Sequence, residues 1–117
     1  MDIQKLKTSI NDWLDAWNKK DIHRILTHYS ESIEFYSATV TQRWGKKEGK
    51  LTGKAELERH FLKGFELVPD LRFELLEVLS GMDGIVIVYK RETGRIVADY
   101  VVPDDNGRAR VVKVFAS

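Results

Sequence analysis

The sequence contains no cysteine, which excludes a disulfide framework, a thiolate nucleophile and any cysteine-based zinc or iron–sulfur site. Neither sign of charge dominates: 19 Lys and Arg face 18 Asp and Glu, a formal net charge of +1, so no global field selects nucleic acid or an anionic membrane. Long apolar runs are missing as well. The longest, Ile85 to Tyr89, is far short of a membrane span, and the opening Met-Asp-Ile-Gln-Lys-Leu-Lys has no signal-peptide core, so a cytosolic protein is expected. Internal repeats and low-complexity tracts are absent. What is present is ordinary globular composition, 43% hydrophobic and 32% charged over 117 residues. That length fits one domain, residues 1–117, able to bury a core without staples.

Ile3, Leu6, Ile10, Trp13 and Trp17 recur at helical spacing behind a cap at Asp2, predicting a long amphipathic first helix. Asp21 starts a second, shorter helix through Ile22, Ile25, Leu26 and Tyr29, making a helical hairpin. Ile33, Phe35 and Ser37 alternate with Glu34, Tyr36 and Ala38 as a strand. From Thr39 to Gly53 the pattern lapses into a basic, glycine-containing stretch, read as a long loop or frayed hairpin. Leu57, Phe61 and Phe65 make a third helix that stops before Pro69-Asp70. Four strands follow: Leu71 to Leu79, with a bulge near Leu75 where the alternation changes parity, then Ile85 to Arg91, Ile96 to Val102 and Arg108 to Phe115. Helices first and an antiparallel meander afterwards describe an α+β domain whose curved sheet wraps the first helix as a cone. Apolar residues on both faces of the middle strands predict a homodimer through the outer sheet face.

Several patterns, in this order, resemble the nuclear transport factor 2-like superfamily in its SnoaL-like and ketosteroid-isomerase-like branch. They are Ala16-Trp17-Asn18-Lys19-Lys20-Asp21, His28-Tyr29-Ser30-Glu31, Leu51-Thr52-Gly53-Lys54-Ala55-Glu56-Leu57, Pro69-Asp70-Leu71-Arg72-Phe73-Glu74 and Asp104-Asp105-Asn106-Gly107-Arg108. The resemblance implies a conical α+β barrel, usually a homodimer, with a mostly apolar pocket, and no single function. The isomerase's general base lines up with Ser37, which cannot abstract a C–H proton at neutral pH, and its tyrosine donor lines up with Trp13. Only its second acid finds a like residue, Asp99. The cyclase and epoxide-hydrolase sites of the superfamily are not matched: His23, His28 and His60 fall in expected helices, and Arg91 and Arg95 lack a second strand aspartate.

Asp99 is the sharpest signal for chemistry, because it shares a strand face with Val97 and Val101. A carboxyl buried there is pushed toward its protonated form and can donate to a ligand oxygen, unless Arg91, Arg110 or a backbone donor pairs with it. Trp13, Tyr29, Ser37, Phe61, Val97, Val101 and Val112 are the candidate ligand-binding residues around it. Tyr36 and Tyr100 take the opposite parity and fall on the outer face, while Tyr89 is read as packing. The histidines show no metal spacing, since five residues put His23 and His28 about 140° apart on a helix. No metal or cofactor is expected, and His28 and His60 are assigned to the surface or helix ends. Arg43, Trp44, Lys46, Lys47, Lys50 and Lys54 are too few, with one aromatic, for nucleic acid, and read instead as a lid that favours an anionic ligand. The expected partner is a small apolar, oxygen-bearing molecule, handled by an isomerase, cyclase or lyase with Asp99 as acid or oxyanion donor. The alternative is a non-catalytic dimeric binding or assembly module.

Overall fold

Leu6, Ile10, Trp13, Leu14 and Trp17 bury one stripe of the first helix, α1 (Ile3–Asn18), against the interior, as their spacing dictates. The computed structural model describes residues 3–117, so the expected cap at Asp2 lies outside the described residues. A second helix, α2 (Ile22–Leu26), is capped by Asp21, whose Oδ1 accepts from the Arg24 amide. Arg24 reaches back to Asp12 at 2.6 Å and Asp15 at 3.1 Å and clamps the hairpin. Tyr29 does not close this helix as expected. Thr27 turns the chain, with its N–H on the His23 carbonyl and the following His28 N–H on the Ile25 carbonyl, and Tyr29 begins the first strand, β1 (Tyr29–Tyr36).

The stretch 39–53 is not a loop. Ser37, expected in the strand, instead ends it and caps a further helix, α3 (Ala38–Trp44), by accepting from the Thr39 amide. Val40 is fully buried and anchors that helix, and Gly45, at φ 70°, ends it. The chain returns as a short strand, β2 (Lys50–Thr52), paired antiparallel with β1 through Phe35 and Leu51. Gly49 makes the return possible: it sits at φ +62°, and a Cβ there would lie 2.8 Å from the Ser37 carbonyl oxygen. The helix α4 (Lys54–Leu67) then buries Leu57, His60, Phe61 and Gly64.

Four strands complete the sheet: β3 (Phe73–Ser80), β4 (Ile85–Arg91), β5 (Ile96–Pro103) and β6 (Ala109–Ala116). The first begins two residues later than expected because Leu71 is held in a turn by Val68, while the Asn18 side-chain amide donates to the Phe73 carbonyl and accepts from its N–H. The expected bulge is present between Leu75 and Glu77. The order β2-β1-β6-β5-β4-β3 makes one six-stranded, curved, unclosed sheet, antiparallel except where β1 runs parallel to β6. Ile85, Ile87 and Tyr89 turn inward with Val97, Asp99 and Val112, facing α1. Among the described residues no helix is long and apolar enough to cross a membrane.

Candidate functional site

Strand pleating carries Asp99 to the inner face of β5 between Val97 and Val101, where it is 4% exposed. None of the cations weighed for it arrives. Arg91 is spent on Glu92 in a bidentate pair, at 3.0 and 2.9 Å, and Asp99 has no ion pair among the described residues. Its partner is Tyr89 on β4, diagonal to it across the ladder, whose phenol donates to Oδ1 at 3.0 Å. Burial pushes the carboxyl up to about 7, only partly offset by the Tyr89 hydroxyl. Near neutral pH a large share of molecules therefore hold Asp99 protonated, and with Oδ1 taken by Tyr89 the proton resides on Oδ2.

Tyr29 stands beside it. Its oxygen accepts from the Trp13 indole at 3.0 Å, and burial together with the charge of Asp99 raises its pKa far above the usual phenol value. It remains a neutral phenol, and its own O–H goes to no protein acceptor among the described residues. Trp17 Nε1 is turned toward the same hydroxyl without reaching it in hydrogen-bond geometry, leaving a buried donor unspent. The rings behind these groups pack closely, with Phe73 against Tyr89 at 4.5 Å and Trp17 edge-on to Phe61 at 4.7 Å.

Two cavities meet at this wall. The larger, about 560 Å³, opens between α1, the inner strands and the turn 103–107. The smaller, about 270 Å³, lies between α3, α4 and the sheet. Trp13, Tyr29 and Asp99 line both. Of the other residues expected at a ligand, Val101 and Val112 line the larger, and Ser37, Phe61 and Val97 the smaller. The expected set thus reaches the cone interior, divided between two chambers. Tyr36 and Tyr100 face outward as their parity requires, Tyr36 beneath Lys50 and Lys113 and Tyr100 bonded to Asp83.

His60 corrects the surface assignment: it is 3% exposed on α4. The Trp44 indole, which can only donate, bonds its Nδ1 at 3.0 Å, so the neutral ring carries its proton on Nε2 and donates to Thr39 Oγ1 at 3.1 Å. Burial, and then the charge of Arg43, lower its pKa to about 4. Trp44 is therefore a fixed part of α3, with the Arg59 guanidinium over its ring, and not a lid. His28 lies between α2 and β1, not within a helix; its Nε2 meets Asp12 at 2.8 Å and its Nδ1 meets Ser9 at 3.3 Å, at the larger cavity. Among the described residues no three His, Asp or Glu side chains group as a metal site. The residues missed from sequence are Tyr89, whose role depends on strand register, and Arg43, which reads as one of a basic run. Gly64 was the available signal for Arg43: a glycine inside a helix marks close approach, and a Cβ there would lie 3.1 Å from the Arg43 guanidinium.

A long helix inside a curved, unclosed sheet, with cavities between them, places this chain in the nuclear transport factor 2-like class of α+β folds. Its sequence matches the SnoaL-like domain family over residues 10–116, and the chain belongs to that family. A SnoaL-like protein of unknown function from Burkholderia thailandensis is 28% identical, with a TM-score of 0.88 over 95% of this chain and 93% of that one. Two more distant structures share the fold alone. A candidate polyketide cyclase from Sinorhizobium meliloti has 12% identity and a TM-score of 0.75, covering 98% of this chain and 100% of that chain. A candidate ketosteroid isomerase from Kribbella flavida has 13% identity and a TM-score of 0.72, covering 94% and 76%. No curated protein matches the sequence.

Proposed function

We propose that the chain binds a small, largely apolar molecule in the larger cavity, its oxygen function seated against Asp99 and Tyr29. The observation that carries this reading is the pair of unspent donors on an apolar wall: the Asp99 carboxyl, held by Tyr89 through one oxygen, and the Tyr29 phenol, fixed by Trp13. Two neutral donors lining one cavity suit a carbonyl or enol oxygen, whose growing negative charge they would stabilise. In a turnover reaction Asp99 acts as acid or oxyanion donor in an isomerisation, cyclisation or elimination.

One observation favours a non-catalytic reading, that of a dimeric binding or assembly module. Ser37, at the isomerase base position, is committed to capping α3, and the His60 lone pair is taken by Trp44, so neither can accept a substrate proton. The proposal keeps a cytosolic homodimer with no nucleic-acid or membrane partner. The dimer is supported by the outer sheet face, where Phe115 is 61%, Leu79 49% and Ile96 38% exposed beside Val86, Val88 and Ala98.

A thermal-shift panel of phenols, steroids, polyketide-like aromatics and fatty acids tests the reading on wild type and Asp99→Asn. A ligand at a hundred times its Kd adds about 2.7 kcal/mol, or roughly 10 °C at this size. The expected result is such a shift in wild type that shrinks in Asp99→Asn. No shift from any class, or equal shifts in both proteins, overturns it.

A further inference from the structure

The smaller chamber has apolar walls and a cluster of donors at α3 and α4. Beginning at Trp44, whose N–H is the only hydrogen it can offer, two bonds have one permitted direction, Trp44 to His60 Nδ1 and His60 Nε2–H to Thr39 Oγ1, and the Thr39 and Ser37 hydroxyls then share a third at 2.8 Å. Ser37 Oγ also accepts from the Thr39 amide, and whichever hydroxyl donates in the shared bond, one O–H of the Ser37–Thr39 pair is left for whatever occupies the chamber. Arg43 lies beside this chain of bonds, half-buried across Gly64. Its only hydrogen bond goes to the His60 carbonyl, at 3.1 Å, and no carboxylate lies within ion-pair distance of it among the described residues. A guanidinium so placed has lost much of its water without gaining a counter-charge; burial and the neighbouring Arg91 both lower its pKa. Arg95 lines the same chamber, and the acid on its wall, Asp99, is bonded to Tyr89.

The walls add the second half of the specificity. Trp17, Phe35, Phe61 and Phe73 enclose the space, and at about 270 Å³ it falls just below the size of pockets that take drug-sized molecules. We infer that this chamber is a site for a small aromatic carboxylate, with its anionic head on Arg43 and the Ser37–Thr39 hydroxyl pair and its ring among the aromatic side chains. The reverse orientation would offer the head only the neutral Asp99 carboxyl and leave the Arg43 charge unanswered. The inference rests on reading the cone as a ligand site, yet it uses Arg43 and Ser37 where that reading uses Asp99 and Tyr29.

The test compares benzoate, phenylacetate and cinnamate with their primary amides, which match in shape and lack the charge, by NMR titration of the full chain at neutral pH. The expected result is acid binding about tenfold or more tighter than amide, the fold-change of one hydrogen bond to a charged group, with the largest shifts at the Ser37 and Gly64 amides. Arg43→Gln should close the gap between acid and amide, and Arg43→Lys should restore part of it. Should Arg43→Gln fail to fold, the wild-type comparison decides alone. Equal binding of acid and amide, no binding of any acid, shifts confined to residues 103–107, or a gap that survives in folded Arg43→Gln overturns the inference. The two readings fail separately: Asp99→Asn should weaken binding of neutral ligands in the larger cavity and leave the preference for acid over amide intact.

Discussion

Replacing Asp99 by Asn should leave the fold in place and remove a specific pH dependence from its stability. The amide oxygen still accepts from the Tyr89 hydroxyl, so no buried phenol is stranded, as it would be by leucine. What disappears is the ionisation. In the folded protein the carboxyl is raised from its ordinary 3.8 to about 7, so between those values the folded state holds a proton that the unfolded state has released. The stability that Asp99 provides as a neutral acid is therefore complete below about pH 4 and is lost as the pH rises through about 7. At about 1.4 kcal/mol per pH unit, the wild type should lose roughly 4 kcal/mol relative to Asp99→Asn across that window. In melting temperature the difference grows by roughly 15 °C between about pH 4 and pH 8. Paired thermal and urea melts of the two proteins at each pH measure it, and taking the difference cancels every other titrating group. Parallel pH profiles would refute the reasoning, for they would show that Asp99 ionises in the folded protein as it does in the unfolded chain.

His60 contributes the opposite slope. With its pKa lowered from 6.5 to about 4, its contribution is present above about 6.5 and is lost as the pH falls through about 4, and an NMR titration of its Cε1–H should stay flat down to about pH 5. Tyr29→Phe deprives the buried Trp13 indole of its acceptor and should cost about 1–3 kcal/mol in urea unfolding, and combined with Trp13→Phe the loss should fall short of the sum of the two single losses. Gly49→Ala forces a side chain into left-handed backbone and against the Ser37 carbonyl; it should cost more than about 1 kcal/mol and weaken the pairing of β2 with β1, seen as faster amide exchange at Ser37.

The sheet meander was legible almost to the residue because each strand alternates and each turn carries its own glycine or Asn-Gly signal. Ile85–Arg91 matches its predicted range, and the bulge at Leu75–Glu77 shows in the sequence as a change of parity. The segment from Ser37 to Thr52 was not legible. α3 has seven residues, too short to hold by propensity, and it persists through one cap and the buried Val40, while β2 exists only as a partner to β1. At the site the burial of Asp99 follows from Val97 and Val101 on its own strand. Its partner Tyr89 does not, because which tyrosine faces a given carboxyl depends on the register between strands. His60 and Arg43 were hidden for a related reason: a basic run and a lone helical histidine look solvated until α3 folds onto α4 and brings Trp44, Thr39 and Gly64 against them.

The claim at the centre of this account is that Asp99 is a neutral acid on the cavity wall, able to give its proton to a ligand oxygen. A carbon-13 titration of the Asp99 carboxyl measures it directly, in the free protein and with a saturating neutral ligand from the thermal-shift panel. The account predicts a midpoint near 7 that moves upward when the ligand binds, because the ligand oxygen accepts only from the protonated form. A midpoint in the ordinary carboxylate range, or one that the ligand leaves unmoved, would contradict it.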